Sequence, residues 1–251
     1  MASPSNEALT TDSIAAAVAP FGLNLIGVAA VASYDAGIAP ERGLARRLPD
    51  GAESVVVVGN GGGAFWEAYR RFCAARPGHD RRADPLDDFT REVVDAACAP
   101  LARRAPIRVL YPFGFAEDGV SFTRLALLAG LGRESLVGVL VHPVYGPWIA
   151  LRAAVLVAER LEAPRPADGF DPCPTCAERP CIQACPGDAV GAGGWSVPRC
   201  GAQRARPDDP CTARCHARVA CVLGPEHRHP DDALAYHQRR AREPLLRLSR
   251  S

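Results

Sequence analysis

Along the first 160 residues, some apolar positions recur with the spacing of a helix and others form short continuous runs. Helices are predicted at 6–20, 64–75, 84–103 and 122–129. Short runs of β-branched or other apolar residues, which are typical of strands, are found at 24–31, 54–58 and 107–111. Two further apolar runs, 136–141 and 148–157, predict a pair of strands around the turn between them. Strands interleaved with helices in this way predict an α/β or α+β sandwich.

The pattern changes after residue 160. A proline-rich stretch at 161–172 separates the sandwich from a segment in which cysteines replace the apolar periodicity. We therefore predict one domain over residues 1–165 and a small cysteine-rich domain over 166–230. Residues 231–251 return to a helical pattern and are predicted to form a C-terminal helix that docks on the body.

Composition narrows the classes of function. The 251 residues are 48% hydrophobic, which is ample for a core, and no apolar run reaches the roughly 18 residues of a membrane span. The polar N-terminus does not read as a secretory signal, so a cytoplasmic location is predicted. All 29 basic residues are arginine, which excludes Schiff-base and Walker A lysines. The net charge of +1 gives no general sign of nucleic-acid binding.

The ten cysteines are the most informative count, because eight of them fall between Cys173 and Cys221. In a cytoplasmic chain such crowding favours metal or cluster binding over disulfides. The run that begins at Cys173 has the spacing C-x2-C-x4-C-x3-C-P. Its end matches the bacterial ferredoxin run, in which the fourth cysteine binds the other cluster. The remaining two cysteines, Cys73 and Cys98, are predicted to be buried in helices.

The ferredoxin rule divides the eight cysteines into two sets of four. The first thiol group comprises Cys173, Cys176, Cys181 and Cys221. The second thiol group comprises Cys185, Cys200, Cys211 and Cys215. Each group is predicted to hold one [4Fe–4S] cluster, although the x4 spacing exceeds the usual x2 and the second group lacks a C-x2-C pair. Zinc is the alternative metal, because four-thiolate zinc sites also use C-x2-C pairs.

A second informative stretch is the turn that follows the run 136–141. It contains His142, Tyr145, Gly146 and Trp148, with Arg152 a few residues further on. The two aromatic residues can form a flat apolar wall, and the histidine can donate a hydrogen bond or ligate a metal. A purely structural His-Pro turn is the alternative interpretation. We call residues 142–148 the His-Pro turn.

The His-Pro turn resembles a stretch shared by epoxyqueuosine reductases and CblC-type cobalamin-processing proteins. Both contain a His-Pro, then an aromatic residue and glycine, and then a tryptophan. In the CblC type an alanine and an arginine follow at the spacings of Ala150 and Arg152. Epoxyqueuosine reductases, like reductive dehalogenases, add a two-cluster ferredoxin module after this point. The order of motifs in this chain is similar.

The resemblance implies a flavin-reductase/nitroreductase-like α+β sandwich domain followed by a small ferredoxin-like iron–sulfur domain. Five residues are then expected to border a cobalamin at the domain junction. They are four residues of the turn and one beyond it, namely His142, Tyr145, Gly146, Trp148 and Arg152. The chain would be a cobalamin-binding iron–sulfur oxidoreductase in which the clusters pass single electrons to cobalt. Its reaction would be removal of a cobalamin upper ligand or reduction of a small substrate.

The same resemblance implies partners, and this chain also differs from epoxyqueuosine reductases in two respects. A small-molecule substrate or cobalamin is expected, with an electron donor protein such as a flavodoxin or ferredoxin reductase, and no membrane. The catalytic aspartate of epoxyqueuosine reductases aligns with Ala116, beside Glu117 and Asp118, so the catalytic residue is left unassigned. Because the chain ends at Ser251 without a helical-repeat region, tRNA is expected to be an unlikely partner.

Two other functions are compatible with the sequence. One is a ferredoxin-like electron-transfer protein that binds no cobalamin, in which the first 165 residues serve a partner. The other is a binding module stabilised by zinc. Visible absorption distinguishes them, because clusters are brown, corrins are red, and zinc sites are colourless.

Overall fold

The computed structural model describes residues 8–114, 118–162 and 169–249 of the chain. It divides into two compact units. The first unit is Met1–Leu131 with Ala150–Asp168, and the second is Gly132–Ile149 with Gly169–Ser251. These units differ from the predicted domains because residues 132–149 group with the cysteine-rich segment. None of the helices in the described part of the chain is long and apolar enough to cross a membrane.

A four-stranded sheet forms the centre of the first unit. Its strands, in chain order, are β1 (Leu25–Ala30), β2 (Ser54–Gly61), β3 (Ile107–Leu110) and β4 (Ile149–Val157). In space the order is β1-β2-β4-β3. Antiparallel pairing sets Val28 opposite Val56 and Val109 opposite Val155. Every residue of β2 is buried, as the unbroken valine run predicts for a strand in the middle of a core.

Helices accompany this sheet, most of them where the sequence predicts helices, whereas the short helix Val31–Asp35 is not predicted. They are α1 (Thr11–Val18), α2 (Val31–Asp35), α3 (Ala64–Ala75), α4 (Pro85–Ala102) and α5 (Phe122–Leu128). A capping box between Thr10 and Ser13 starts α1. Phe65 of α3 and Phe89 of α4 pack with their ring centroids 5.2 Å apart. Helices and strands together make a mixed α/β fold, as predicted.

The second unit is built from shorter pieces. Its helices are α6 (Pro172–Thr175), α7 (Pro180–Gln183), α8 (Val197–Arg204), α9 (His216–Val219) and α10 (Asp231–Leu248). The two-residue strands Val190–Gly191 and Gly194–Trp195 pair with each other. α7 packs against α9, and α10 packs along α8. Short 3-10 turns in the two units are Ala19–Phe21, Pro40–Arg42, Ala45–Arg47, His79–Arg81, Pro112–Gly114, Pro210–Thr212 and Pro225–His227.

The predicted pairing of 136–141 with 148–157 is wrong. Leu140–Val141 pairs instead with Arg133–Glu134, whereas β4 pairs within the large sheet. Across the His-Pro turn the only ladder contact in the described residues is the bridge between His142 and Gly146. Pro147 has no N–H group to continue the pairing beyond it. An apolar run thus predicts a strand without identifying the strand that it pairs with.

Candidate cluster cavities and the His-Pro turn

Two cavities in the second unit are lined by the clustered cysteines. A cavity of about 250 Å³ is lined by Cys173, Cys176, Cys181 and Cys221. A larger cavity of about 390 Å³ is lined by Cys185, Cys200, Cys211 and Cys215. The structure therefore brings together the four cysteines of the first thiol group at one cavity and those of the second thiol group at the other.

Two short helices distribute the cysteines between the cavities. Cys181 lies in α7 and lines the smaller cavity, whereas Cys185 follows α7 and lines the larger one. Cys215 precedes α9 and lines the larger cavity, whereas Cys221 follows α9 and lines the smaller one. α7 and α9 pack together, and the chain in and beside each helix contributes one thiol to each cavity. Cysteines that are close in sequence therefore line different cavities.

The thiols influence one another within their own group. Burial raises the pKa of Cys181, and the nearby Cys221 and Cys173 raise it further. Burial raises the pKa of Cys211 to about 12, with Asp209 and then Cys215 adding to the effect. Such thiols stay protonated at neutral pH unless a metal centre takes them as thiolates. Within residues 8–114, 118–162 and 169–249, no three His, Cys, Asp or Glu side chains converge closely enough to hold a single metal ion.

The backbone of the His-Pro turn is closed by hydrogen bonds. The His142 N–H donates to the Gly146 carbonyl at 2.9 Å, and the Gly146 N–H donates back at 2.8 Å. His142 Nδ1 accepts from the backbone N–H groups of Val144 at 3.1 Å and Tyr145 at 3.3 Å. The neutral ring therefore carries its proton on Nε2. Burial, followed by the nearby His227, lowers the pKa of His142, which favours this neutral form.

Trp148 supports the turn from inside the second unit. Its side chain is fully buried. The guanidinium of Arg218 lies 4.9 Å from its ring and that of Arg228 lies 5.7 Å away. His229 Nε2 donates to the Trp148 carbonyl at 3.2 Å. Tyr145, in contrast, is only partly buried, with the His227 ring edge-on at 4.8 Å. An exposed apolar wall at the turn therefore comes from Tyr145 and not from Trp148.

Gly146 is required by its surroundings. Its φ is +54°, and a Cβ there would overlap the carbonyl oxygen of Leu223. Gly224 is limited in the same way. Its φ is also +54°, and a Cβ there would lie 2.7 Å from the backbone carbon of Tyr145. The turn and the loop after Cys221 thus meet backbone to backbone. Gly224 is absent from the predicted site residues, although the Gly-Pro dipeptide at 224–225 signals a turn there.

Arg152 belongs to the first unit, unlike the other four residues of the predicted cofactor set. It lies in β4, where its Nε donates to Asn60 Oδ1 at 2.8 Å. Both residues are buried, and the guanidinium lies 4.5 Å from the ring of Phe65. Ala116, with which the family's catalytic aspartate aligns, and the neighbouring Glu117 lie outside the described residues. Asp118 is engaged in an ion pair with Arg47 at 2.8 Å.

Comparison with known proteins identifies the fold. No family model matches the chain, and no curated protein matches it. An epoxyqueuosine reductase solved with a tRNA stem loop is 18% identical, with 88% of this chain and 67% of that chain covered and a TM-score of 0.56. The chain shares the fold of epoxyqueuosine reductase. The predicted resemblance is confirmed at the level of the fold.

Two other solved proteins match over most of this chain. The C. elegans B12-trafficking protein CblC is 14% identical, with 94% of this chain and 95% of that chain covered and a TM-score of 0.50. A catabolic reductive dehalogenase in complex with 3-bromo-4-hydroxybenzoic acid is 18% identical, with 93% and 34% covered and a TM-score of 0.51. Both belong to the groups named by the sequence resemblance.

One expectation about partners is wrong. The expectation that tRNA is an unlikely partner rested on the lack of a helical-repeat region, yet a protein of this fold is solved with a tRNA stem loop. The part of that protein which shares the fold covers two thirds of its length. That structure overturns the expectation that tRNA is an unlikely partner.

Proposed function

We propose that the chain is a cobalamin-binding iron–sulfur oxidoreductase that carries out reductive chemistry. In this proposal the first unit is a flavin-reductase/nitroreductase-like sandwich, and the second contains the ferredoxin-like module from residue 169 to residue 230. The observation that carries the proposal is the division of eight cysteines between two cavities, four at each. The reaction would be removal of a cobalamin upper ligand or reduction of a substrate, with a small molecule and tRNA both as candidates.

The donor sets suit two [4Fe–4S] clusters. Each cluster takes four thiolates, and each cavity has four cysteines in its wall. Zinc, which also takes four thiolates, is the alternative metal for either group of cysteines. The backbone N–H of Ala189 donates to Cys185 Sγ at 3.3 Å, a contact of the kind that tunes cluster potentials. When bound, the clusters would supply single electrons and the cobalamin a reducible cobalt.

The His-Pro turn supplies the protein groups proposed for cobalamin. Tyr145 offers a partly exposed ring, and Gly146 allows the chain to bend tightly behind it. His142 holds a proton at Nε2, since its Nδ1 already accepts two backbone hydrogen bonds. It is therefore proposed as a hydrogen-bond donor and not as a metal ligand. Trp148 is proposed to hold the turn in place, and Arg152 stays in the set on the resemblance alone.

The competing function is a ferredoxin-like electron-transfer protein without cobalamin. The burial of Trp148 favours it, because this residue offers no exposed ring to a corrin. Both functions require the clusters and differ in the ligand of the turn. They are therefore separated by measuring metal and cobalamin binding in succession.

The first experiment is anaerobic reconstitution of the full chain followed by metal analysis. We expect about eight iron and eight sulfide per chain. About four iron would remove one cluster from the proposal. Stoichiometric zinc without sulfide would contradict the iron–sulfur function altogether.

The second experiment is titration of the reconstituted protein with cobalamin, followed by absorption and calorimetry in both redox states. We expect binding, and we expect Tyr145→Ala to weaken it at least tenfold, which is about 1.4 kcal/mol. Tyr236→Ala, in α10 and outside the turn, serves as the matched control and should bind as the wild type does. If cluster-loaded wild-type protein does not respond to cobalamin, the ferredoxin-like function replaces the proposed one.

A further inference from the structure

Arg218 connects the larger cavity with the His-Pro turn. It lies in α9 and lines the cavity together with the second thiol group. Its Nε and Nη2 both donate to the Pro147 carbonyl, at 3.1 and 2.6 Å. Its guanidinium also lies 4.9 Å from the ring of Trp148. One side chain thus contacts the turn through two kinds of interaction while forming part of the cavity wall.

The charge of Arg218 has no acidic partner among the described residues. Arg204, in the same wall, is paired with Asp209 at 2.7 Å, so its charge is already compensated. Burial lowers the pKa of Arg218 to about 10, and the nearby Cys215 acts in the opposite direction. A buried charge without a counter-charge is costly, and an anion at the cavity would compensate it. Four thiolates around an oxidised cluster leave a net charge of about −2 there.

We propose that Arg218 is a positioning residue whose positive charge raises the reduction potential of the cluster at the second thiol group. The inference rests on the proposed function, because it requires a cluster in that cavity. Reduction adds one negative charge to the cluster. A fixed positive charge stabilises the reduced form more than the oxidised form, and burial strengthens the effect because the surroundings screen little. The bonds to Pro147 hold the guanidinium in place, so this charge is fixed relative to the turn as well.

The test compares Arg218→Gln with the wild type in the reconstituted full chain. The potential of each cluster is measured by anaerobic redox titration with electron paramagnetic resonance. We expect the glutamine variant to shift the cluster of the second thiol group at least tenfold toward its oxidised form, about 59 mV for one electron. The cluster of the first thiol group should shift less. Arg218→Lys, which keeps the charge, should stay near the wild-type potential.

Arg228→Gln is the matched control. Arg228 also lies near Trp148, at 5.7 Å, but its Nη2 donates to the Val219 carbonyl and it does not line the cavity. This variant should leave both potentials unchanged. An equal shift in Arg228→Gln and Arg218→Gln would overturn the inference, since the effect would then not depend on the cavity wall.

Three further results would also overturn the inference. They are an unchanged potential in an iron-replete glutamine variant, equal shifts of both clusters, and a lysine variant that shifts as far as the glutamine variant. If the glutamine variant does not retain iron, the lysine variant decides, and loss of iron in both means that Arg218 acts through packing and not through its charge. Wild-type protein without iron and sulfide would instead contradict the proposed function, so the two failures are distinguishable.

Discussion

The two compact units are stabilised in different ways. The first unit buries large side chains around its sheet, among them Tyr34, Phe65 and Phe89, and its central strand is buried throughout. The second unit buries Trp148 and a few smaller residues such as Val190 and Leu234, and its thiols surround two cavities. A chain segment with so little apolar burial commonly gains its stability from a bound metal or another covalent link. Under the proposed function, the first unit folds on its apolar core and the second folds on its clusters.

The largest effect expected from this comparison follows removal of the clusters. Treatment with a chelator under reducing conditions should abolish hydrogen-exchange protection in α7, α8 and α9, because the proposed clusters that link these helices are lost. Protection in β2 should persist, since its burial depends on apolar neighbours. Exchange measured by mass spectrometry checks both regions in one sample, and reconstitution should restore the protection. Loss of protection in β2 to the same degree would contradict the comparison.

Substitution of single cysteines tests how the eight cysteines of the second unit are divided between two clusters. Cys185→Ser should remove the cluster of the second thiol group and leave that of its near neighbours, Cys176 and Cys181, in place. Cys181→Ser, only four residues away, should do the opposite. Iron content should fall by about half in each variant, and the two variants should lose different spectroscopic signals. Loss of the same signal in both would mean that sequence neighbours, and not cavity neighbours, share a cluster.

A smaller effect is expected at the backbone contact behind the turn. Gly146→Ala should lower the free energy of unfolding of the second unit by about 1–3 kcal/mol, because it combines a positive φ with an overlap against Leu223. Chemical denaturation followed by cluster absorption measures this change. Gly193→Ala is the control, since nothing lies within 4 Å of a Cβ at that position. Equal losses in the two variants would show that the close approach does not matter.

The smallest effect concerns protonation of His142. Its folded pKa should lie below the ordinary value of 6.5, because burial and the nearby His227 favour the neutral ring. A depressed pKa stabilises the fold above the unfolded pKa of about 6.5, and this contribution is lost as the pH falls through the folded pKa. Nuclear magnetic resonance titration measures it, with the urea-unfolded chain as reference. His227→Gln should raise the pKa of His142 slightly, and a folded pKa above 6.5 would contradict the hydrogen-bonding pattern of the turn.

The same comparison explains what could be predicted from the sequence. Helix α4 follows from apolar periodicity and strand β2 from an unbroken apolar run, because burial in the first unit imposes both patterns on the chain. The two thiol groups follow from the ferredoxin spacing rule, and the structure places each group at one cavity. The strand partner of Leu140–Val141 and the position of Arg218 do not follow, because both depend on contacts between distant segments. No local pattern distinguishes Arg218 from the other arginines around it.

The contact between the His-Pro turn and the loop after Cys221 has a consequence for how the gene can change. Gly146 and Gly224 lie far apart in sequence, yet each is limited by the main chain that carries the other. A compensating mutation cannot relieve such a limit, because every amino acid has the same main-chain carbonyl and carbon. Random mutagenesis with selection for stable protein should therefore return glycine at both positions. Tolerated changes would then accumulate around these two points without altering them.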